Sequence, residues 1–288
     1  MAGAVLGALA LAATVIAMRA ARAELASIEP TRHAVPRPPG EAWLGVAKDV
    51  SLRTPKGIVL QGWLLDSANG ASVMLVHGSG ADRTQLLPEA HILSGAGYGV
   101  LMFDLPGNGE SGGQKRRGDE EDFLRIAVDA LASEPGIHSG GIGAYGFSSG
   151  AAFLAEAAAH DARLRGVVLA GCYADADEHI RHDYRRWGPV SGLPALWAAR
   201  GAGVVTLHPL GRIPAIAPRA VFFIAGDADP VVPPDSSRRL YSVASEPREL
   251  WIVHGAVHGG YAQVAGEDYA RRLLAFFDRA LLGLDGSR

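Results

Sequence analysis

Ser148 stands at the centre of Gly146-Phe147-Ser148-Ser149-Gly150, a G-x-S-x-G spacing. Its neighbour Ser149 cannot share that role, because its own flanks would be Phe147 and Ala151. The spacing suits a nucleophile elbow, where a serine sits on a sharp turn from strand to helix. Glycines two residues away let the chains pass closely, and the helix N-terminus offers backbone N–H groups to a developing oxyanion. Such a serine needs a base, and the base needs an orienting acid. "GDADPVVPP" supplies Asp227 and Asp229, and "HGAVHGGY" supplies His254 and His258. "HGSG", His77 to Gly80, can give a second oxyanion donor from a glycine-opened backbone.

These residues need elements to hold them. "GGIGAYGF" before Ser148 reads as a short buried strand, and the Ala-rich "SGAAFLAEAAAH" after it as a helix. "DVSLRT" and "IVLQGWLLD" read as an antiparallel hairpin joined through Pro55 and Gly57. "SVMLVHG", "YGVLMFD", "RGVVLAG", "AVFFIAGD" and "ELWIVHG" are apolar strands without alternation. Helices are expected at 84–95, 119–134, 235–245 and 267–282. Such strands separated by helices imply a mostly parallel sheet covered on both faces. Its functional loops gather at the carboxyl ends of the strands, which is where all the candidates above fall. Residues 172–213 break the rhythm and are expected to form a small helical cap.

The chain has 288 residues, 48% of them hydrophobic, and a formal net charge of -3. That suits one large α/β domain and argues against nucleic acid as partner, since the one short basic run is "QKRRGD". Cys172 is the sole cysteine, so no internal disulfide exists. Ala2 to Met18 is an uninterrupted apolar stretch followed by Arg19 and Arg22. Its length is at the short end of a bilayer span, and arginines behind it favour a cytoplasmic domain. Residues 1–23 are therefore expected to be a single-pass membrane anchor. The alternative is a cleaved signal peptide of a secreted protein, ending at "ARA", Ala21 to Ala23. Residues 24–45, rich in proline, are expected to be a linker or surface arm ahead of a domain at 46–284.

Five stretches then carry a family resemblance: "VMLVHGSGADR", "GYGVLMFDLPGNGESGG", "GFSSG", "GDADPVVP" and "VHGAVHGGY". In order and spacing they resemble the α/β-hydrolase superfamily, in its serine aminopeptidase and lysophospholipase-like branch. The resemblance covers about Val50 to Leu282. It implies a mostly parallel eight-stranded sheet with helices on both faces and a small helical cap. It also implies Ser148 as nucleophile, Asp229 as acid and His258 as base, with oxyanion N–H groups from Ser149 and Ser79, or Gly80 in place of Ser79. No cofactor or metal is implied. The chain departs from the family at Pro106, where an arginine is usual, and at Ser149 and Ala151, where methionine and glycine are common.

The expected activity is hydrolysis of an ester, thioester or amide of a small, lipid-like acyl substrate. The alternatives are a peptidase on short peptides and a non-catalytic membrane-tethered binding protein. His77 is expected to hold the oxyanion loop, Asp227 to serve its turn and His254 to lie at the surface or in packing. Asp104 is expected to order its loop. Asp175 and Asp177 are the next acids in reach of the strand ends. His179, His182 and Asp183 lack a full ligand set and read as a solvated helix. Trp187 and Trp197 read as cap core.

Overall fold

The computed structural model describes residues 2–115, 120–188, 191–204 and 206–284, without the side chains of residues 2–6 and 120–122. Pro189, Val190 and Val205 of the expected cap, and part of the "QKRRGD" run, lie outside the described residues.

Eight strands form one sheet. They are β2 (Lys48–Arg53), β3 (Val59–Leu65), β4 (Ser72–Val76), β5 (Gly99–Phe103), β7 (Ile142–Phe147), β8 (Leu164–Ala170), β9 (Ala220–Gly226) and β10 (Arg248–Val253). Their order is β10-β9-β8-β7-β4-β5-β3-β2. From β10 to β5 every pairing is parallel. The hairpin β2–β3 and its junction with β5 are antiparallel. The strand positions expected from the apolar runs are all occupied. The central strands are buried on both faces, which is why their sequences lack alternation.

The crossover helices divide between the two faces. Helices α3 (Glu120–Ser133) and α4 (Ser149–His160) lie on one side, where Leu124, Leu131, Phe153 and Leu154 meet Met74, Leu101 and Leu169. Helices α2 (Leu87–Gly95) and α10 (Glu267–Phe277) cover the other, with Leu93, Tyr269, Phe276 and Phe277 against Val73, Val100 and Val168. A short π-helical turn, Asp278–Leu282, continues α10. Each such large side chain, fully buried, contributes roughly 1.5–3 kcal/mol. The second face also holds a buried polar triangle. Tyr269 donates to Glu89 (2.7 Å) and lies 2.9 Å from the Tyr145 hydroxyl, tying α10, α2 and β7 together. Burial raises the Glu89 carboxyl above its ordinary pKa.

The interruption between β8 and β9 is helical. It contains α5 (Ala176–Asp183), a 3-10 turn at Tyr184–Trp187, α6 (Gly192–Gly201), α7 (Pro209–Arg212) and a second turn at Ile213–Ile216. Helix α8 (Asp235–Val243) precedes β10, and α9 (Tyr261–Ala265) precedes α10. Trp187 packs edge-on against Tyr184 (5.4 Å), as cap core should. Trp197 does not follow that expectation: it is 67% exposed on the outer side of α6.

The N-terminal segment departs from its expected boundaries. Helix α1 runs from Ala2 to Ser27, so residue 23 falls inside a helix. Its C-terminal part packs on the cap, with Ala20 and Ile28 buried among Ile180, Tyr184, Leu196 and Ala199. Among the described residues no helix is long and apolar enough to cross a membrane. The stretch expected to be a linker or surface arm is strapped to the domain. Strand β1 (Thr31–Arg32) pairs in parallel with β6 (Asn108–Gly109), and a 3-10 turn covers Ala42–Val46. His33 reaches Asp82 (2.8 Å), and the Arg37 guanidinium lies 5.5 Å from the centre of the Trp63 ring.

The junction of β7 and α4 is the tightest point of the fold. A Cβ on Gly150 would sit 2.3 Å from the Val76 carbonyl oxygen, and one on Gly146 2.6 Å from Ala151 Cα. Backbone leaves no room to yield there. Gly150→Ala is therefore expected to destabilise the folded chain by about 1–3 kcal/mol. Urea unfolding followed by circular dichroism checks this, and an unchanged midpoint would show that the junction can relax.

Candidate active site

Ser148 links β7 to α4 with φ 54° and ψ −120°. Among the described residues it is the one non-glycine with positive φ. Such a conformation costs of order 1–3 kcal/mol and persists only where its surroundings enforce it. Here they do. The Ser148 N–H donates to Ala170 O on β8 (2.8 Å), and its carbonyl accepts from the N–H groups of Ala151 (3.1 Å) and Ala152 (3.2 Å). The side chain is left standing at the carboxyl edge of the sheet, ahead of the α4 N-terminus.

The loops after β9 and β10 complete the chemistry. Ser148 Oγ lies 2.9 Å from His258 Nε2, and His258 Nδ1 lies 2.7 Å from Asp229 Oδ2. With the ring proton on Nδ1, the imidazole donates to the carboxylate and accepts from the serine hydroxyl. The Asp229 side chain is fully buried, and its other oxygen accepts from the N–H groups of Val231 (2.8 Å) and Val232 (2.9 Å). That fixes the carboxylate plane toward the ring. Phe147 packs against the imidazole with centroids 4.9 Å apart. Ser148, Asp229 and His258, far apart in the chain, are thus brought together as the resemblance implied.

The remaining acids and histidines are engaged elsewhere. Asp227 accepts from Gly255 N–H (2.7 Å) and pairs with the exposed His254 (2.6 Å). Asp227 N–H also donates to Val253 O (3.2 Å), and Ala228 N–H to Ala256 O (3.1 Å). Asp227 therefore staples the loop after β9 to the loop after β10, which the expectation of a turn residue only partly covers. Asp175 caps α5 and pairs with His208 (2.7 Å), while Asp177 pairs with Arg200. His179 stacks flat on Tyr173, with centroids 4.8 Å apart. His182 Nε2 lies 3.3 Å from Pro230 O, joining the cap to the acid loop. Among the described residues no group of three or more His, Cys, Asp or Glu is placed to hold a metal ion.

The expected oxyanion loop follows β4. A Cβ on Gly78 would lie 3.3 Å from Ser148 Cβ, so this loop passes close to Ser148. Gln85 accepts the Gly78 N–H (2.7 Å). His77 Nδ1–H donates to Gly78 O (2.7 Å) and Nε2 accepts the Leu105 N–H (2.9 Å), which clamps the loop as expected. Behind it, Asp104 accepts from Arg83 N–H and from the Arg83 guanidinium, both at 2.8 Å, and from Glu110 N–H (2.9 Å). Arg83 also lies 4.3 Å over the Trp63 ring. Asp104 is thus paired through Arg83, although Pro106 stands where an arginine was looked for. Ser149 opens α4, and its buried hydroxyl has no hydrogen-bond partner among the described residues. Beside His258 a cavity of about 250 Å³ is lined by Gln85, Leu86, Tyr145, Phe147 and Tyr261.

Comparison with known proteins supports a hydrolase of this fold. A family model described as serine aminopeptidase, S33, matches residues 67–200, a span that holds Ser148 and ends before Asp229 and His258. An uncharacterised protein of Mycobacterium tuberculosis is 28% identical over 256 residues, 86% of this chain and 85% of its own. A thiohydrolase of Aspergillus aculeatus is 34% identical over 127 residues, 42% of this chain and 40% of its own. An esterase structure from Pyrococcus furiosus superposes with a TM-score of 0.76 at 24% identity, covering 88% of this chain and 98% of the other. That last likeness is one of fold.

Two outcomes follow from the site. Asp229→Asn keeps the size but removes the charge facing the imidazole, and is expected to lower kcat on an ester by about 10⁴-fold. Asp227→Asn retains an acceptor for Gly255 and should lose far less. Steady-state rates of the two purified variants decide it, and the reverse ranking would move the acid to Asp227.

The second outcome concerns His77. Burial lowers its pKa to about 4. The unfolded chain takes up that proton near pH ~6.5. Between these values the unfolded state binds more protons, so stability falls as pH falls through that window. The loss attributable to His77 should approach about 3 kcal/mol by pH 4. Urea melts from pH 7 to 4 should show a steeper decline for the parent than for His77→Asn.

Proposed function

We propose that the chain, which has the α/β-hydrolase fold, is a serine hydrolase cleaving a carboxylic ester, thioester or amide through an acyl-enzyme on Ser148. The observation that carries the reading is the continuous line of hydrogen bonds from Ser148 through His258 to the buried Asp229.

The Ser148–His258–Asp229 line supports the following steps, with the oxyanion donors assigned from the resemblance. Ser148 Oγ attacks the carbonyl carbon and gives its proton to His258 Nε2. The resulting oxyanion accepts from the N–H groups of Ser149 and Ser79. As the tetrahedral adduct collapses, the bond to the leaving group breaks, and that group takes the proton from Nε2. Water then attacks the acyl carbon, again giving a proton to Nε2, and the second collapse returns that proton to Ser148 Oγ and frees the acid. Asp229 holds the Nδ1–H tautomer and stabilises the imidazolium in both halves. One oxyanion donor is worth about 10²–10³ in rate in related sites.

Substrate class rests on less specific features. The thiohydrolase relative supports a thioester as one member of that acyl class. The cavity beside His258 is smaller than the roughly 300–1,000 Å³ of ordinary small-molecule pockets. It suits part of a substrate. The apolar stretch Ala2 to Met18, with Arg19 and Arg22 behind it, supports a place at a membrane and a lipid-like acyl substrate.

A fluorophosphonate probe should label the intact chain once. Ser148→Ala should abolish labelling, while Ser149→Ala should retain it, because that hydroxyl has no partner to lose. Hydrolysis of esters, thioesters and peptides across acyl lengths then assigns the class. A chain that resists the probe and cleaves none of them would be a binding protein of this fold.

A further inference from the structure

Helix α1 has two parts with different surroundings. Toward its C-terminus, Ala20, Glu24 and the following Ile28 repeat every four residues and are buried against the cap. The Tyr184 hydroxyl donates to Glu24 Oε2 (3.2 Å) from the 3-10 turn after α5. Toward the N-terminus, every residue from 7 to 15 is exposed, including Leu9 (62%), Leu11 (66%) and Val15 (41%). The one hydroxyl there, Thr14, donates to Ala10 O within the helix (2.9 Å) and presents no unmet donor.

Three observations identify what surrounds this arm. It is apolar on all sides, whereas a single protein partner would bury one stripe. Its residues 7–18 rise roughly 18 Å, enough to reach the middle of a hydrocarbon layer about 30 Å thick. At its base stand Arg19 and Arg22, with the Arg19 guanidinium 6.0 Å from the Trp187 ring centre. Arginine and tryptophan are the side chains that settle at a membrane interface, and the cations complement anionic headgroups.

We propose that α1 inserts its apolar arm into a lipid bilayer bearing anionic headgroups and thereby seats the cap at the membrane surface, with Trp197 and Leu193 of α6 in the interface. The orientation follows from contacts already described. The arm belongs to the helix docked on α6, α6 packs on α5, and His182 of α5 touches the loop carrying Asp229. The cap side of the domain, rather than the side covered by α2 and α10, then faces lipid. This deepens the hydrolase reading and rests on it for one consequence: acyl substrates reach Ser148 from the bilayer past the cap.

The test uses the intact chain with vesicles of phosphatidylcholine and a minor fraction of phosphatidylglycerol. The chain should float with the vesicles through a density gradient and remain bound in high salt. Leu9→Glu, Leu11→Glu and Val15→Glu combined should lower the floated fraction at least ~tenfold, with an unchanged thermal melt. Brominated lipid should quench tryptophan fluorescence, less so in Trp197→Phe. An intact chain that stays at the bottom of the gradient overturns the proposal. So does a triple variant that floats as well as the parent. A chain that ignores vesicles but forms a dimer broken by the triple variant would put a second copy on the arm, and also overturns it. Hydrolysis of a soluble short-chain ester without vesicles reads the hydrolase assignment separately. Flotation without that hydrolysis supports the seating and fails the enzyme reading.

Discussion

The strained turn at Ser148 is the constraint on which the rest of the site depends. A serine with positive φ is unfavourable alone. It is held by a bond to β8 on one side and by the first turn of α4 on the other. That geometry requires α4 to start almost in contact with β4, so only glycine fits at 146 and 150. The Ala-rich face of α4 then lies flat on the sheet, with Ala151, Ala155 and Ala158 fully buried. One backbone conformation thus links the reactive hydroxyl, the helix N-terminus behind it and the packing of a whole face.

The other two functional side chains come from neighbouring parallel strands, and their relative placement is a matter of loop stapling. β9 and β10 pair along their full length and deliver both loops at one edge. Beyond the sheet, Asp227 and the backbone of Ala228 continue the connection to Val253, Gly255 and Ala256. Asp229 and His258 extend from these tied segments and meet over Phe147. On the opposite side of Ser148, His77 and the Arg83–Asp104 pair set the loop after β4 through wholly buried bonds. Ser148 is therefore flanked by two independently fixed walls.

Much of this was legible in the chain. Apolar runs without alternation marked the buried parallel strands, and G-x-S-x-G marked the turn, because both patterns are dictated locally. The choice of Asp229 over Asp227 was not legible from spacing, since both lie on one loop; only three-dimensional direction separates them. Family resemblance supplied that choice. The Glu89–Tyr145–Tyr269 triangle was invisible because its members come from three distant elements. The docking of α1 on the cap was hidden for a different reason. The apolar stretch dominates the N-terminal pattern, while the docking stripe is Ala20, a glutamate paired with Tyr184, and Ile28 just beyond the helix. Trp197 was misread as core because an aromatic residue carries no local signal of which way its helix faces.

The central claim is that Ser148 carries the acyl group during turnover. It is tested most directly by acid-quenching the intact chain during hydrolysis of an activated ester and digesting it for peptide mass spectrometry. The account predicts one acyl group per chain, on Ser148, appearing together with a burst of released alcohol. An acyl group on Ser149 or any other residue, or turnover with neither adduct nor burst, would contradict it.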